Sequence, residues 1–462
     1  MAMDGWITAQ GRHVGTSLRV MSMALSGAMA ACIGLLPAPA FGETLMEAYQ
    51  LALKNDPKYR AAQAEFRANG TAIDQARAGF LPQIRLDLES WESRQRVISS
   101  KNPIFGPGVT TFPTSNNTLS LTQPIFRKDV IERFAQAQSV VKVAEYTLLA
   151  AEQDLQLRTA AAYLVVLAAA DNLAYAKAER ESIGKLLDLA RERLKGGLGT
   201  ITAQHDALAR FSVASAREIE AQYRLRDARQ GLTEITGRDA QGMQTLREEF
   251  PLETPNPAVV ERWIESAFEN NLGLRARRES VQVAKQEVER QRAGHYPQLN
   301  LLVNHNRRDA GSTLFGGGSD VETTDVILRL SVPIFEGGLT TAVTKEAAYR
   351  YQKALEDAEQ ERRAVERATR AAYDGSVSGV GLAQALKQSV ISQESAVEAK
   401  DTGYRSGLFT ILPVLDAQRD LYLARRDYAQ SRYDYLYNRL KLKQAAGTLS
   451  EADLVAVGAA LQ

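Results

Sequence analysis

The chain has 462 residues, of which 45% are hydrophobic, and its 56 Lys and Arg nearly balance its 55 Asp and Glu, leaving a formal net charge of +1. This balance excludes the basic surface that nucleic-acid binding requires, so we expect no nucleic-acid partner. The single cysteine, Cys32, lies in the predicted export signal described below, so cleavage leaves a mature chain without cysteine and excludes disulfides and thiolate metal sites. We expect no catalytic residue, cofactor or metal, because His205, His295 and His305 are not spaced as ligands and no catalytic motif is present.

Residues 1–42 are typical of a signal peptide for export. Two arginines precede an apolar run at 20–36, and small residues then lead to a predicted cleavage site after Gly42. A membrane anchor is one alternative, although the run is short and ends in prolines. A second alternative is a lipid-anchored protein acylated at Cys32, because Met29-Ala-Ala-Cys32 loosely resembles a lipoprotein box.

The rest of the chain contains one template twice. Arg77-Ala-Gly-Phe-Leu-Pro-Gln matches Arg292-Ala-Gly-His-Tyr-Pro-Gln, and Gln123-Pro-Ile-Phe matches Val332-Pro-Ile-Phe. Matched pairs after the Pro-Ile-Phe element lie about 210 residues apart, which indicates a duplicated structural unit. We predict a first repeat at 43–237, an inter-repeat equatorial segment at 238–257, a second repeat at 258–447 and a C-terminal segment at 448–462.

Four segments alternate apolar and polar residues and are predicted strands, at about 83–97, 116–126, 298–307 and 322–335. The turn-rich stretches 99–117 and 307–322 are predicted loops. We find no apolar segment after residue 42 that is long enough for a transmembrane helix, so strands must make any membrane crossing. Soluble hairpins remain the alternative. Four strands cannot close a barrel in lipid, so several chains must pool their strands.

Helices fill the remainder of each repeat. Proline-free segments at 127–195 and 339–406 predict two helices of about 100 Å, and three glycines, Gly375, Gly379 and Gly381, are expected to loosen the second. Shorter helices are predicted on both sides of these elements, at 45–78, 201–236, 258–293 and 411–446. The unit is therefore helix, strand, strand, long helix, helix, used twice.

Several stretches carry a resemblance to a known family, above all Pro333-Ile-Phe-Glu-Gly-Gly338, the segment 403–417 and Ala446-Gly-Thr448. Together with the order of elements, they make the chain similar to the TolC family of outer-membrane efflux and secretion ducts. The resemblance implies a mainly α fold with a transmembrane β-barrel portion. It also implies a homotrimer, with a twelve-stranded barrel in outer-membrane lipid and a long α-helical tunnel across the periplasm.

The resemblance further implies partners and contact residues. Members of the family work with a periplasmic membrane-fusion adaptor and an inner-membrane pump or ABC exporter. The adaptor-contact candidates are the two helix-hairpin turns, Gly197 with Leu198 and Gly407 with Leu408. The alternative is that these residues are only the turn residues that any helical hairpin needs.

The family's closed entrance is held by polar links among a Tyr, an Arg and an Asp, with two acidic rings just inside. Tyr404 matches the tyrosine, Asp416 matches one ring acid, and Thr202 matches a threonine beside the linking aspartate. Three symmetry-related Asp416 carboxylates would favour cations. The alternative is that Asp416 is a solvated residue paired with Arg419 on its own helix.

Three positions depart from that pattern. Phe409 occupies the place of the arginine, Pro413 that of the second ring acid, and Ala203 that of the linking aspartate. We therefore expect closure to depend more on apolar contact around Phe409 than on a charge-assisted link, because a partly exposed salt bridge contributes only about 0–1 kcal/mol.

The sequence as a whole predicts a passive exit duct of an efflux pump or a type I secretion system. A periplasmic coiled-coil structural protein is the alternative, but it would leave the four symmetrically placed strands unexplained. The cargo, drugs or proteins, is left open by the sequence.

Overall fold

The computed structural model describes residues 44–99, 101, 108–239, 242–247, 250–312 and 317–461. All of these residues belong to one compact unit, Gly42–Gln462. The predicted signal peptide at 1–42, with Cys32, lies outside the described residues.

The first repeat consists of three short helices, an antiparallel pair of strands and a helical hairpin with one very long arm. Its elements are α1 Leu45–Asn55, α2 Pro57–Gly70, α3 Ala72–Ala78, β1 Gln83–Val97, β2 Gly108–Phe126, α4 Lys128–Lys195 and α5 Ile201–Thr236.

The second repeat has the same order of elements and is followed by one short C-terminal helix. A single 3₁₀ turn, Ala293–His295, precedes its strands. Its elements are α6 Val260–Asn270, α7 Leu272–Arg292, β3 Gln298–Ala310, β4 Ser319–Ser331, α8 Leu339–Arg405, α9 Leu412–Ala445 and, after the repeat, α10 Glu451–Gly458.

The predicted continuous helices before the strands are interrupted. Asp56 has an extended conformation with ψ of 118°, and its carboxylate accepts a hydrogen bond from the Tyr59 amide to begin α2. The following Pro57 explains the break, because a proline ring clashes with a helical residue before it. Asn271 interrupts the second repeat in the same way, with ψ of 120° and its side-chain oxygen on the Leu274 amide.

The expected loosening of the second long helix was wrong, because α8 is continuous from Leu339 to Arg405. At Gly379, an added Cβ would lie 3.8 Å from the Cα of Tyr435, and at Gly375 it would lie 3.6 Å from the Asn438 side chain. Both distances are ordinary van der Waals contacts, so α9 packs against this part of α8 without requiring glycine there.

The four strands form one antiparallel sheet in the order β1-β2-β3-β4. β2 begins at Gly108 and β3 continues to Ala310, so both extend into segments that were predicted to be loops. The β-branched and aromatic residues at 109–112 favour extended structure in β2. In β3, the pairing with β4 continues as far as Ala310. β4 ends at Ser331, before the predicted limit of 335, because Ser331 pairs with Gln298, the first residue of its partner strand β3.

Helix α4 contradicts the prediction that no segment is apolar enough to span a membrane. One 18-residue window of α4 has a mean hydropathy of 1.3, and 39% of that window is buried inside the protein. Tyr163, Leu164 and Leu167 of this helix lie in the main hydrophobic core. Part of the apolar character of α4 therefore serves helix packing, which composition alone does not distinguish from a membrane span.

The main core lies at the waist of the helical part. Tyr49 of α1, Tyr163 of α4 and Tyr435 of α9 are fully buried there, together with residues of α5 and α10. The inter-repeat segment closes over this core, since the Tyr435 hydroxyl donates to the Glu253 carbonyl and accepts from the Glu253 amide, both at 3.0 Å. Leu246 forms an isolated bridge with Leu461 near the C-terminus.

Candidate functional sites at the sheet and at the hairpin turns

One face of the sheet is apolar in the half of the outer strands that lies nearest the helices. Exposed aliphatic side chains alternate with polar ones on the outer strands, and they are Ile84, Leu86 and Leu88 of β1 and Val326, Leu328 and Leu330 of β4. The intervening residues include Arg85, Asp87, Glu89 and Arg329. Because successive side chains of a strand point to opposite faces, one face suits lipid and the other suits water.

The sheet has two open edges within the described residues. β2 and β3 each pair on both sides, whereas β1 pairs only with β2 and β4 pairs only with β3. An unpaired strand edge in hydrocarbon costs several kcal/mol for each unsatisfied backbone group. The sheet therefore needs further strands before it can lie in a bilayer.

At the other end of the long helices, two equivalent turns reverse the chain. Gly197 has φ of +72° and Gly407 has φ of +82°, a conformation that favours glycine. In each turn the leucine amide donates to the carbonyl five residues earlier, Leu198 to Arg193 and Leu408 to Gly403, both at 2.8 Å. The leucine side chains are 85% and 79% exposed respectively. Both turns thus present an apolar side chain to solvent.

Tyr404 is only 5% exposed, within a small core near the turns that also contains Ile183, Leu187 and Leu415. The guanidinium of Arg193, from the end of α4, lies over its ring at 4.4 Å from the centroid. Arg193 also donates to the Tyr404 carbonyl at 3.4 Å. These contacts join the first helical hairpin to the second through a cation–π interaction.

Phe409 folds back on its own hairpin. A Cβ placed on Gly403 would lie 2.3 Å from the Phe409 ring, so the ring packs directly on the glycine backbone. Its side chain is 49% exposed. Thr202 is exposed, and its hydroxyl hydrogen-bonds the Thr200 hydroxyl at 2.9 Å. Thr200 in turn begins α5 by accepting from the Ala203 amide.

Asp416 takes part in a salt bridge between the two helical hairpins. Its Oδ1 accepts from Arg210 of α5 at 2.6 Å, and Arg419 of its own helix lies at 3.7 Å. The Asp416 side chain is 36% exposed. The predicted Arg419 pairing is therefore the longer of two contacts, and the shorter one crosses between the repeats.

Two further ion pairs join the arms of the first hairpin. Arg180 of α4 donates to Glu218 of α5 at 2.7 Å, and Arg217 of α5 donates to Glu179 of α4 at 2.8 Å. Glu179 is 1% exposed while the Arg217 side chain is 31% exposed, so the carboxylate of this pair is buried and its guanidinium is half-buried. Both ion pairs tie α4 to α5 along the first hairpin.

Sequence reasoning missed Arg193 and Arg210. Each lies on a first-repeat helix, and its partner follows roughly 200 residues later on the second repeat. The sequence contains no local spacing that would reveal such a contact. That closure depends more on apolar contact around Phe409 stays a prediction, and the pair of Arg210 with Asp416 adds a charged contact between the two hairpins.

The fold and these sites define a class of protein: an elongated channel subunit with a sheet for a membrane wall and helical hairpins that end in exposed turns. The sequence profile of the family described as outer membrane efflux protein matches residues 48–238 and 263–448. These two matched regions correspond closely to the two structural repeats.

Curated relatives agree over nearly the whole chain. The chain is 32% identical to outer membrane protein TolC of Vibrio cholerae, with 94% of this chain and 97% of that protein covered. It is 30% identical to the alkaline protease secretion protein AprF of Pseudomonas aeruginosa, over 92% of this chain and 89% of that one. The Campylobacter jejuni CmeC outer membrane channel has the same fold, with a TM-score of 0.77, 16% identity and coverage of 91% and 90%.

The chain belongs to the outer membrane efflux protein family, the family of TolC. Its place is the outer membrane, with helices that extend into the periplasm, and it serves as an exit duct for efflux or type I secretion. The predicted family, fold class, localisation and general function are thereby confirmed. The family identification also decides against a periplasmic structural coiled coil.

Proposed function

We propose that three copies of the chain assemble into one passive conduit, with twelve strands closing a barrel in outer-membrane lipid and the helices continuing it as a tunnel. The observation that carries this proposal is the sheet with one apolar face and two open edges, β1 and β4. When three sheets join into a closed ring, every strand edge is paired with a neighbouring strand. Three four-stranded sheets also give an even number of strands.

Assembly and conductance test the proposal together. Purified protein in detergent should have the mass of three chains by light scattering, and it should form cation-permeable channels in planar bilayers. A monomer that stays soluble without detergent would contradict the proposal, because its apolar sheet face would then have no lipid to contact.

We infer that the exposed turns contact a periplasmic adaptor that serves an inner-membrane pump or ABC exporter. Leu198 and Leu408 support this inference, because the glycine before each one holds an apolar side chain in solvent at the end of a hairpin. A turn needs the glycine for its backbone, but it does not need the exposed leucine.

The matched pair of variants is Leu198→Ser with Leu408→Ser, and the control is Leu382→Ser, an exposed leucine within α8 and far from the turns in sequence. The turn variant should lose cross-linking to the adaptor and export activity by about tenfold, while trimer yield is unchanged. Equal cross-linking of the turn variant and the wild type would refute the contact.

We further infer that the closed state is held by two links between the hairpins, Arg193 with Tyr404 and Arg210 with Asp416. Ion pairs join the two arms of the first hairpin, and Arg425 with Glu394 joins those of the second, so opening would separate the two hairpins as units. Each link contributes about 0–1 kcal/mol, but a trimer repeats both links three times. Phe409 packs locally on Gly403 and adds an apolar contact within the second hairpin.

Single-channel recording tests these links. Arg210→Gln and Asp416→Asn should each raise the conductance, because each removes the salt bridge between the hairpins. Arg224→Gln is the control, since Arg224 pairs with Glu220 on its own helix. An unchanged conductance in both link variants would contradict this gate.

The proposed acidic ring is tested in the same recordings. In the wild type, Arg210 neutralises part of the Asp416 charge, so Arg210→Gln should strengthen cation preference and Asp416→Ala should weaken it. If Asp416→Ala left the preference unchanged, Asp416 would not face the path of the ions.

A further inference from the structure

The two hairpins of the sheet have the same register when they are aligned by their prolines. Gln83 follows Pro82 and pairs with Thr122, which lies two residues before Pro124. Gln298 follows Pro297 and pairs with Ser331, which lies two residues before Pro333. The duplication has therefore preserved strand pairing to the residue within each repeat.

The junction between the repeats has a defined register as well. Ser120 pairs with Asn304, and Leu121 pairs with Val303, across β2 and β3. Ser120 lies four residues before Pro124, and Asn304 lies seven residues after Pro297. Register in a sheet with one buried face is strongly specified, because a slip of one residue turns every side chain to the other face.

We propose that β4 of one copy pairs with β1 of the next copy in the register of the β2–β3 junction, so that Arg329 lies opposite Glu89 of the neighbouring copy. Arg329 lies four residues before Pro333 and Glu89 lies seven residues after Pro82, which are the positions of Ser120 and Asn304 in the junction. This inference rests on the proposed trimer and specifies how its copies join. The same rule places Leu330 opposite Leu88.

The charges at these positions support the assignment. Within the described part of the chain, the Arg329 side chain makes no hydrogen bond or ion pair, and the Glu89 side chain accepts only a 3.3 Å hydrogen bond from Asn116. Both side chains lie on the polar face of the sheet. Opposite charges that lie directly across two strands stabilise the pairing by about 0.2–1 kcal/mol, and like charges there are unfavourable.

A second pair of opposite charges follows from the same register. Glu322 of β4 falls opposite Arg96 of the neighbouring β1, near the outer ends of the strands. The corresponding positions in the existing junction are Pro113 and Gly311, where the Gly311 amide donates to the Pro113 carbonyl at 2.8 Å. Within the chain, the register of the β2–β3 junction thus continues as far as Pro113 and Gly311.

Exposure of the Pro-Ile-Phe element also indicates that a strand is missing beside β4. Ile125 and Phe126 lie beside β3 and are 54% and 41% exposed, and Phe126 pairs with Leu299 of that strand. Their counterparts Ile334 and Phe335 are 94% and 87% exposed. The equivalent of Leu299 in the first repeat is Ile84, so a neighbouring β1 would cover Phe335.

One competing register must be separated from this one. A shift of two residues keeps the faces unchanged and places Arg329 opposite Asp87, and Leu328 opposite Leu88. Opposed residues in an antiparallel pair have Cα atoms about 4.5–5.5 Å apart, whereas positions two residues away are about 7–8 Å apart. A disulfide needs Cα atoms within about 7 Å, so cysteine pairs distinguish the two registers.

The cross-linking experiment uses two double-cysteine proteins in a Cys32→Ser background. Under mild oxidation, Leu88→Cys with Leu330→Cys should give covalent dimers and trimers on denaturing gels, and Leu88→Cys with Leu328→Cys should give at least fivefold less. The reverse order of yields would overturn the register that we propose.

Charge reversal tests the ion pair itself. Arg329→Glu and Glu89→Arg should each lower the temperature at which the trimer dissociates in SDS, and the double variant should recover more than half of the loss. Arg329→Glu with Asp87→Arg is the control and should not recover. If Arg329→Glu with Asp87→Arg recovered stability and Arg329→Glu with Glu89→Arg did not, the ion pair would belong to the shifted register.

Failure of the inference and failure of the trimer give different results. Light scattering on every variant in mild detergent reports the number of chains. A wild-type protein that is monomeric would overturn the trimer, and with it the inference. A trimer without a cross-link at Leu88 and Leu330 would overturn only the register.

Discussion

The two repeats use one architecture with different chemistry at the same joint. In the first repeat, Asn55 donates to the Thr236 carbonyl at the end of α5, beside the break between α1 and α2. In the second, Asn271 donates to the Ala445 carbonyl at the end of α9, at the break between α6 and α7. Each break is thus tied to the end of its hairpin helix.

The two joints differ in the charge of the capping residue and in how closely the backbones approach each other. Asp56 of the first joint is 2% exposed and accepts from Arg158 at 2.9 Å, whereas the second joint has the neutral Asn271. The glycine after each hairpin helix has φ of +70° at Gly237 and +73° at Gly447. The first joint is therefore held by a buried ion pair, and the second by close contact between backbones.

This difference shows that duplication preserves geometry more strictly than it preserves the interactions that maintain it. Strand register, turn conformation and helix breaks coincide in the two repeats, while the contacts at each have diverged. The following predictions compare the two joints, from the largest expected effect to the smallest.

Gly447→Ala should have the largest effect. A Cβ at Gly447 would lie 2.3 Å from the carbonyl carbon and oxygen of Asn270, so the backbone must move in addition to the strain of a positive φ. We expect a loss of more than about 3 kcal/mol in the free energy of unfolding. Thermal unfolding followed by circular dichroism in detergent measures it.

Gly237→Ala is the matched control for this substitution. Its Cβ would meet only the Asn55 side chain, at 3.0 Å, and a side chain can move. We expect a loss of about 1–2 kcal/mol, mostly from the left-handed backbone conformation. Equal losses at the two glycines would show that backbone contact does not distinguish the joints.

Asp56→Asn should have an intermediate effect. The substitution keeps a helix-capping side chain but leaves Arg158 with only its contact to Asp154, at 2.7 Å. Because the carboxylate of Asp56 is nearly fully buried, we expect a loss of about 2 kcal/mol. The variant Asn271→Ala, which removes the neutral cap of the second joint, should cost about 1 kcal/mol in the same unfolding assay.

Asp56 should also make stability depend on pH. Burial alone would raise the pKa of Asp56, but hydrogen bonds from Arg158 and the Tyr59 amide, with the Arg158 charge, lower it below the usual value. A lowered pKa stabilises the fold above the unfolded-state pKa, and this contribution is lost as the pH falls through the folded-state pKa. The difference in unfolding temperature between wild type and Asp56→Asn should therefore shrink in acid.

Glu287 should make a smaller contribution to the pH dependence of stability, and this contribution arises only in the second repeat. Burial opposes ionisation of Glu287, but hydrogen bonds from Arg290, Gln291 and Gln136 outweigh it and lower its pKa to about 2. Its stabilisation should be complete above about pH 4.5 and should fade as the pH drops toward 2.

The comparison of wild type with Glu287→Gln measures this contribution. The wild type should be the more stable protein at pH 7, the difference should narrow below about pH 4.5, and the two should converge near pH 2. The equivalent position in the first repeat is Ala72, so no acidic counterpart exists there. A difference that is constant from pH 7 to pH 3 would mean that Glu287 does not titrate in this range.

Much of this protein was determined by sequence alone. The alternation of apolar and polar residues predicts the strands, long proline-free segments predict the two long helices, and glycine in the Gly197 and Gly407 turns predicts the reversals. Each of these signals is local, because it depends on backbone conformation or on the periodicity of one element. The duplicated order of elements, together with motifs such as Pro333-Ile-Phe-Glu-Gly-Gly338, indicated the family.

Tertiary structure decided what local signals do not encode. Helix α8 stays continuous through its three glycines while packed against α9, the apolar run of α4 enters the waist core, and Asp416 binds an arginine of the other repeat. Each of these outcomes depends on which surface a distant segment presents, and residues that meet across about 200 positions leave no periodic trace in the sequence.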